Sequence, residues 1–490
     1  MGEFEYKIQD GPFQSSWESL QKYECPQWFR DAKFGIWAHW GPQAVPEAGD
    51  WYARQMYIEG HPQYEYHLKN YGHPSKFGYK DIVKLWKAER FDPDALVELY
   101  KEAGAKYFVA LAVHHDNFDC WDSTHHKWNS VNIGPGKDIV GMFREATLKH
   151  GLRFGVTEHL ERAYSWFNTN KGSDKEGPYA GIPYDGNDPK FEDFYFEAHD
   201  DTSRAYPINP PEWWKQQWYM RIKDLVEKYQ PDLLYTDGGI PFGEVGRAML
   251  ANYYNNNIKW NGGKLEAVYN IKDWRNNNAE KLNRGEYQNG VAVLDLERGV
   301  VDDILPKPWQ TDTCLGNWYY NKFIDYKTAE MVVHMLVDIV SKNGNLLLNF
   351  PLRADGTLDD KALKELKNIG KWMSVNGEAI YGTRPWKSFG EGPTQSGGGM
   401  FKEEKIHYTA SDFRFTQKEN SVYAILMAWP ESGEICIKSL GYGTQTGRAK
   451  SVELLGYNGQ LKWEQKADGL SVWLPDEKPC DIAWAIKVSY

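Results

Sequence analysis

The sequence predicts an α/β protein, in which a (β/α)8-like TIM barrel over residues 27–386 precedes an all-β sandwich over residues 387–490. Three observations support this prediction. Short β-rich runs alternate with amphipathic helical stretches, which is typical of a parallel sheet built from βα units. About eight such repeats occupy roughly 350 residues, a length that suits a barrel with long inserted loops. After Trp386 apolar and polar residues alternate in short runs, which indicates strands of a second domain.

Eight apolar runs are the candidate barrel strands, and residues 1–26 before them form an N-terminal extension. The candidate strands are FGIWAHW (34–40), YFVALAVHH (107–115), RFGVTEHL (153–160), DLLYTDGG (232–239), LEAVYNI (265–271), VAVLDLERG (291–299), WQTDTCLG (309–316) and NLLLNFP (345–351). Helical stretches such as DPDALVELYKEAGA and TAEMVVHMLVDIVSKNG separate them.

Turn residues divide the C-terminal part of the chain. The glycine-rich run FGEGPTQSGGGM (389–400) predicts a linker or loop between the two domains. Further on, Asn458-Gly459 lies between the runs VELL and LKWE, and this pair predicts a β-hairpin.

Composition excludes several classes of function. The formal net charge is -11 and no basic stripe is present, so we expect no nucleic-acid partner. No run of 18 apolar residues occurs, so no membrane span is expected. The five cysteines show neither CxxC nor Cys/His metal spacing. The aromatic content of 15% suits stacking on sugar rings, but a tryptophan-rich core explains it equally well.

The compartment and the oligomeric state stay open at this level. The first 25 residues lack the apolar core of a signal peptide. If a signal has been trimmed from this sequence, we expect the protein to be periplasmic or secreted. A homo-oligomer is compatible with the sequence.

Polar, chemically capable residues end nearly every candidate strand. In chain order they are His39, His114 with His115, Glu158 with His159, Asp237, Asn270, Glu297, Asp312 and Asn349. Barrel enzymes carry their chemistry at the C-terminal ends of the strands, whereas a purely structural barrel has no need of such a ring. The ring therefore predicts an active site.

Asp237 ends an apolar strand and is followed by Gly238 and Gly239. The two glycines permit a sharp turn and a close approach of a ligand to the backbone. The carboxylate either points into the barrel mouth or caps the next helix, since aspartate is a favoured N-cap. The spacing alone supports both interpretations.

Glu297 lies at the next-but-one strand end, in LDLERG. Glycoside hydrolysis requires two carboxylates, one to attack the anomeric carbon and one to protonate the leaving oxygen. Asp295 and Asp312 compete with Glu297 and Asp237 for these roles, and Arg298 permits a plain surface ion pair with Glu297 instead.

The histidines His39, His114 and His115 are of a type that also binds metals. Adjacent residues of a strand face opposite ways, so only one of His114 and His115 is expected to point into the barrel. Because no third ligand has a metal-site spacing, hydrogen bonds from neutral histidines to sugar hydroxyls are favoured over a metal. We expect no metal and no cofactor. Loop aromatics such as Trp51 and Trp128 suit either sugar stacking or packing.

Several segments together resemble the retaining α-L-fucosidase family of glycoside hydrolases, in the same order over about residues 25–386. They are WFRDAKFGIWAHWG (28–41), AGAKYFVALAVHHDNFDCWDS (103–123), PDLLYTDGG (231–239), KPWQTDTCLGNWYY (307–320), SKNGNLLLNFPLRADGTL (341–358) and VNGEAIYGTRPW (375–386). The resemblance implies that Asp237 is the nucleophile and that His39, His114 and His115 bind the sugar. It also implies that Tyr235 lines the pocket.

The chain departs from the family pattern close to the expected sugar. It has Asp50 before Trp51 where the family commonly has glutamate, and Glu158-His159 where the family commonly has Tyr-Ser. We assign Asp50, Trp51, Glu158, His159 and Trp318 to substrate binding as well. Glu297 falls in the region in which such enzymes are least alike.

The sequence therefore predicts a retaining exo-glycosidase that removes terminal α-L-fucosyl residues from a glycan, with Asp237 as nucleophile and Glu297 as acid and base. An α-L-galactosidase, acting for instance on algal galactans substituted at carbon 6, is the main alternative, because apolar pockets reject an added hydroxyl only about 10²-fold. Two more functions fit the fold, that of a non-catalytic glycan-binding relative and that of a metal-dependent hydrolase.

Overall fold

The structure, a computed structural model, describes residues 4–274, 282–394, 397–401, 403, 406–444 and 447–490. Eight parallel strands close into a barrel in chain order, and β1 pairs with β8 to complete it. The strands are β1 Phe34–Ala38, β2 Tyr107–Val113, β3 Arg153–Glu158, β4 Leu233–Thr236, β5 Val268–Lys272, β6 Val293–Asp295, β7 Trp309–Cys314 and β8 Gly344–Asn349. The predicted barrel is confirmed, and each strand lies within or beside its predicted run.

Large side chains opposite small ones fill the barrel interior. Gly35 of β1 leaves space that the Tyr107 ring of β2 occupies, because a Cβ at Gly35 would lie 2.3 Å from that ring. The Tyr107 hydroxyl then donates to Gln310 Oε1 of β7 at 3.0 Å. The barrel is therefore a packed core, and its open space lies beyond the strand ends.

Helices cover the outside of the barrel and fill the inserted loops. They are α1 Trp17–Leu20, α2 Gln27–Ala32, α3 Tyr52–Gln55, α4 Pro62–Asn70, α5 Tyr79–Leu85, α6 Pro93–Glu102, α7 Ile139–Lys149, α8 Ala163–Trp166, α9 Glu192–Tyr195, α10 Glu212–Tyr229, α11 Glu244–Trp260, α12 Ala329–Ser341 and α13 Asp360–Asn376. None of the described helices is long and apolar enough to cross a membrane.

Helix α6 shows how local sequence forms these elements. Asp92 caps its N-terminus by accepting the Ala95 amide, and Pro93 occupies the first turn, where its missing N–H costs nothing. The apolar stripe of Leu96, Val97 and Tyr100 is buried.

The βα unit that begins with β6 lacks its helix. The connection between β6 and β7, residues 296–308, is described throughout and contains no helix. Its 13 residues, LERGVVDDILPKP, include two prolines and a glycine, so they are too short and too interrupted for a crossover helix. The predicted (β/α)8-like barrel is therefore present with all eight strands, and the unit after β6 lacks its helix.

The C-terminal domain consists of two antiparallel sheets, as predicted. The strands are β9 Arg384–Glu391, β10 Phe413–Lys418, β11 Ser421–Leu426, β12 Glu434–Ile437, β13 Ser451–Leu454, β14 Lys462–Lys466, β15 Gly469–Trp473 and β16 Trp484–Ser489. The order is β13-β16-β11-β10-β9 in one sheet and β12-β15-β14 in the other.

One expectation about this domain is wrong, and another holds only in part. Asn458-Gly459 does not close a hairpin, because β13 pairs with β16 and β14 pairs with β15, in different sheets. Two-residue hairpins close instead at residues 419–420 and 467–468. The predicted linker at 389–400 begins as strand, because β9 extends to Glu391 and pairs with β10.

The β-sandwich is docked firmly on the barrel. Arg414 Nε of β10 donates to Asp338 Oδ1 of α12 at 2.6 Å, and both side chains are buried. Trp372 of α13 donates to the Ala483 carbonyl at 2.8 Å. The two domains therefore share a polar and apolar interface along α12 and α13.

Candidate active site

A cavity of about 380 Å³ opens at the C-terminal ends of the barrel strands. Ten of the eleven residues assigned to the site from the sequence line it. They are His39, Asp50, Trp51, His114, His115, His159, Tyr235, Asp237, Glu297 and Trp318. Most of the polar strand ends thus meet around one cavity, although Glu158, Asn270 and Asn349 do not line it.

Asp237 follows β4 directly and points into the cavity. Its Oδ1 accepts from Lys272 Nζ at 2.7 Å, and its Oδ2 lies 2.9 Å from an Arg162 guanidinium nitrogen. Helix α11 is preceded by Gly243, so Asp237 does not cap it. The capping alternative is therefore excluded.

The charges around Asp237 decide its protonation. Burial alone would raise the pKa of this carboxyl, but the positive charges of Arg162 and Lys272 outweigh burial and hold the pKa well below its usual range. Asp237 is therefore a carboxylate throughout the physiological pH range.

The two glycines after Asp237 serve a purpose other than the one expected from the sequence. A Cβ at Gly238 would lie 2.3 Å from the Tyr206 hydroxyl, and a Cβ at Gly239 would lie 2.5 Å from the Glu286 carbonyl. Gly239 donates its amide to the Arg284 carbonyl at 2.8 Å. The absence of a side chain at the two glycines therefore lets neighbouring segments of the protein approach closely. This packing positions Arg284 at the cavity.

Glu297 lies two residues beyond β6 and reaches the same ammonium group as Asp237. Lys272 Nζ donates to Glu297 Oε2 at 2.5 Å. Two oxygens that bind one nitrogen at 2.7 and 2.5 Å are no more than about 5 Å apart. Burial raises the pKa of the Glu297 carboxyl; Lys272 opposes this rise, and the charges of Asp312 and Asp237 add to it. One carboxyl of the pair is thus poised to ionise and the other to hold a proton.

The competing carboxylates occupy supporting positions. Asp295 is fully buried, accepts from Gln310 Nε2 at 2.9 Å and does not line the cavity. Asp312 lines the cavity, but its Oδ2 accepts from the Tyr235 hydroxyl at 3.0 Å. Arg298 pairs with Glu403 at 3.1 Å, so the surface-pair alternative for Glu297 does not hold.

Glu158 is the exception among the assigned residues, because it does not line the cavity. Its carboxylate accepts from Thr236 Oγ1 at 3.0 Å and from Trp218 Nε1 at 3.2 Å, behind β4. Side chains alternate at the end of β3, so His159 faces the cavity and Glu158 faces the helix layer. Glu158 therefore lies outside the cavity in which the sequence places it.

His114 and His115 both line the cavity, contrary to the expectation that only one would. Strand β2 ends at Val113, so the two residues lie beyond the regular alternation. Within the described part of the chain, both ring nitrogens of His39 and Nε2 of His159 are buried without a hydrogen-bond partner. Buried polar atoms of this kind call for a ligand.

The histidine tautomers favour hydroxyl recognition. Gln43 Oε1 accepts from the Ala53 amide, so its Nε2 donates to His114 Nδ1 at 2.9 Å. His114 Nε2 therefore carries the proton and acts as a donor. Ring nitrogens of His114, His115 and His159 lie within 4.8 Å of one another, but a protonated Nε2 is no metal ligand as it stands.

Asp50 and Trp51 line the cavity beside these histidines, because Asp50 Oδ1 lies 3.7 Å from His114 Nε2 and the ring centroids of Trp51 and His115 are 6.2 Å apart. Burial raises the pKa of Asp50 to about 8, and the charges of Glu297 and Asp237 add to this effect. Trp51 has a left-handed backbone, with φ of 61°, and its ring packs edge-on against Trp166 at 5.6 Å. By contrast, Trp128 stacks on Phe194 at 4.2 Å and only packs its loop.

The sequence interpretation missed several cavity residues, of which Lys272 and Arg162 matter most. Lys272 is the last residue of β5, two positions after Asn270, and its position at a strand end was an available signal. Arg162 lies in a short 3-10 helix in the long segment after β3 and had no such signal. Arg204, Trp274, Arg284 and Phe401 also line the cavity.

A (β/α)8-like barrel with two carboxylates around one cavity at the strand ends defines the class of protein, a glycoside hydrolase. Comparisons with known proteins narrow this class. Residues 3–378 match the family model described as Alpha-L-fucosidase, and residues 402–489 match the Alpha-L-fucosidase C-terminal domain. The chain belongs to the α-L-fucosidase family.

Individual relatives agree with this assignment. The plasma alpha-L-fucosidase of Homo sapiens is 30% identical over 97% of this chain and 92% of its own length. The tissue alpha-L-fucosidase of Bos taurus is 31% identical over 96% of this chain and 90% of its own length. The structure of the Thermotoga maritima alpha-fucosidase in complex with a mechanism-based inhibitor superposes with a TM-score of 0.75. It is 26% identical and covers 98% of this chain and 100% of that one.

Proposed function

We propose that this glycoside hydrolase removes terminal α-L-fucosyl residues from glycans with retention of the anomeric configuration. The proposal rests on one observation: the single ammonium group of Lys272 binds both Asp237 and Glu297. Carboxyl groups about 5–5.5 Å apart are typical of retaining enzymes, whereas inverting enzymes need about 6.5–9.5 Å to admit a water. The bound oxygens of this pair, no more than about 5 Å apart, suit retention.

In the first step an Asp237 oxygen attacks the anomeric carbon, and the bond from that carbon to the leaving oxygen breaks. Glu297 gives its proton to the leaving oxygen. In the second step Glu297 removes a proton from water, the water oxygen attacks the anomeric carbon, and the bond to Asp237 breaks. The low pKa of Asp237 and the raised pKa of Glu297 suit these two roles.

The remaining walls would hold the sugar. The unpaired ring nitrogens of His39 and the protonated Nε2 of His114 are hydroxyl partners, and Trp318 offers an aromatic face at the cavity wall. Asp50, protonated below a pH of about 8, can donate to a sugar oxygen. No step requires a metal, so we expect activity to survive exhaustive chelation.

A second candidate is hydrolysis of α-L-galactosides. The buried, unpartnered Nε2 of His159 at the cavity supports it, because a polar wall there would accept the additional hydroxyl of L-galactose. Leaving that nitrogen unpaired against a methyl group costs about 1–3 kcal/mol.

The test is hydrolysis of paired aryl α-L-fucoside and α-L-galactoside, with the first-formed sugar observed by proton NMR before mutarotation. We expect the fucoside to react faster and the α-anomer to appear first. The β-anomer appearing first would contradict retention, and a higher kcat/KM for the galactoside would favour the second candidate. Asp325→Asn, at a fully exposed carboxylate, is the matched control for Asp237→Asn and should keep wild-type rates.

A further inference from the structure

A segment between the two domains returns to the mouth of the barrel. We call residues 397–401 together with Glu403 the crossover segment. Gly399 donates its amide to the Val300 carbonyl at 2.8 Å, and Phe401 donates its amide to the Glu297 carbonyl at 3.0 Å. The crossover segment therefore runs antiparallel to the loop that carries the proposed proton donor.

The ion pairs of Glu403 and a close backbone approach at Gly299 stabilise this pairing. Glu403 lies 3.1 Å from Arg298 Nε and 3.0 Å from Lys327 Nζ, and its side chain is buried. A Cβ at Gly299 would lie 2.4 Å from the Gly399 carbonyl oxygen, so only glycine permits this approach. The β6–β7 connection, which lacks a helix, is thus held by a segment from outside the barrel.

The pairing leaves the apolar Phe401 exposed to solvent and in a backbone conformation that bulky residues rarely adopt. Its side chain is 56% exposed, and its backbone has a φ of 55°, which a bulky residue rarely adopts. Phe401 nevertheless lines the cavity, and its ring stacks on Trp274 with centroids 6.1 Å apart and planes at 29°. Arg284 packs over the Trp274 ring at 4.0 Å. An exposed aromatic in a strained backbone beside an active site indicates a functional role.

We propose that the exposed Phe401 ring forms a leaving-group subsite that prefers a pyranose ring, and that Trp274, which is only 8% exposed, supports the Phe401 ring. The inference rests on the proposed function. Because the Phe401 amide is hydrogen-bonded to the Glu297 carbonyl and both residues line the cavity, the Phe401 ring lies on the side of the cavity where Glu297 would protonate the leaving oxygen. Aromatic faces pack against the C–H faces of pyranose rings, which small alcohols do not offer.

The experiment compares two leaving groups in wild type and Phe401→Ala. The leaving group of α-L-fucosyl fluoride is a fluoride ion, which has no ring to occupy the subsite. Its C–F bond breaks as Asp237 forms the C–O bond, and the fluoride ion departs without a proton from Glu297. The second substrate is a panel of α-L-fucosyl disaccharides with different linkages. We expect the ratio of kcat/KM for the best disaccharide to kcat/KM for the fluoride to fall about tenfold in Phe401→Ala.

Two further variants sharpen the result. Phe401→Tyr keeps the aromatic face and should restore the ratio to within about twofold of wild type. Phe323→Ala removes another exposed phenylalanine, 66% exposed and outside the cavity, and should leave the ratio at the wild-type value.

The outcomes separate the two proposals. If wild type hydrolyses the fluoride but Phe401→Ala leaves the ratio unchanged, or if wild type cleaves the fluoride and none of the disaccharides, the subsite is wrong and the proposed function stands. If wild type fails to hydrolyse the fluoride, the proposed function itself is wrong, because the subsite takes no part in that reaction.

Discussion

The two carboxylates of the proposed mechanism are held in different ways. Asp237 follows β4, whose four residues are all buried between β3 and β5, and two cations bind its side chain directly. Glu297 follows β6, a strand of three residues, and its loop is paired with the crossover segment from outside the barrel. The position of the proposed nucleophile is therefore a property of the barrel alone, whereas that of the proposed proton donor depends on both domains.

This difference predicts which substitutions affect all substrates and which affect only substrates with certain leaving groups. Changes around Asp237 should affect every substrate, because each must form a bond to it. Changes around Glu297 and the crossover segment should depend on the leaving group, since only poor leaving groups need a proton and only sugars occupy the proposed subsite.

The largest expected effect distinguishes the two carboxylates directly. Asp237→Asn should reduce kcat/KM by about 10⁴-fold or more for both fluoride and disaccharide, because no covalent intermediate forms. Glu297→Gln should reduce kcat/KM by about 10²–10⁴-fold for the disaccharide and far less for the fluoride. Steady-state kinetics with both substrates measure this contrast. Equal losses on the two substrates in Glu297→Gln would remove Glu297 from the proton-donor role.

A smaller effect is expected at Arg162, which contacts the proposed nucleophile. Arg162 donates to the Asp237 backbone carbonyl at 2.5 Å and pairs with its Oδ2 at 2.9 Å. Arg162→Gln should lower kcat about 10–100-fold for fluoride and disaccharide alike. Since Arg162 depresses the pKa of Asp237, its loss raises that pKa, and the acid limb of kcat/KM moves to higher pH.

Arg162→Lys is the conservative substitution at this position, because it keeps the positive charge but loses the planar guanidinium group with its several N–H donors. The acid limb of its kcat/KM pH profile should stay nearer to that of wild type. Arg90→Gln, at an exposed ion pair, is the matched control and should retain the wild-type pH profile. An acid limb that does not move in Arg162→Gln would show that Arg162 has only a structural role.

The smallest effect is expected at Glu403, which anchors the crossover segment. Glu403→Gln removes the charge that binds Arg298 and Lys327, so the loop of Glu297 should become less well positioned. We expect kcat/KM for the disaccharide to fall about 3–10-fold, an amount comparable to the loss of one partly buried ion pair, with a smaller loss for the fluoride. Glu434→Gln, at an exposed position of β12, is the control. A larger loss for the fluoride than for the disaccharide would contradict the comparison.

The sequence by itself determined the eight barrel strands, the β-rich second domain and most of the polar ring around the cavity. These follow from local rules, because strand period and strand-end chemistry are written in neighbouring residues. It also pointed to Asp237 and Glu297. It did not place Glu158, whose side chain turns away at a strand end, where one residue of register decides the face.

Only the tertiary structure decided how the charges and the two domains meet. Lys272 joins the two carboxylates, Arg162 comes from a segment about 75 residues before Asp237, and Phe401 follows a strand of the second domain. These contacts are long-range in sequence, and neither spacing nor periodicity encodes them. They exist because closure of the barrel and docking of the β-sandwich on α12 and α13 bring distant side chains to one cavity.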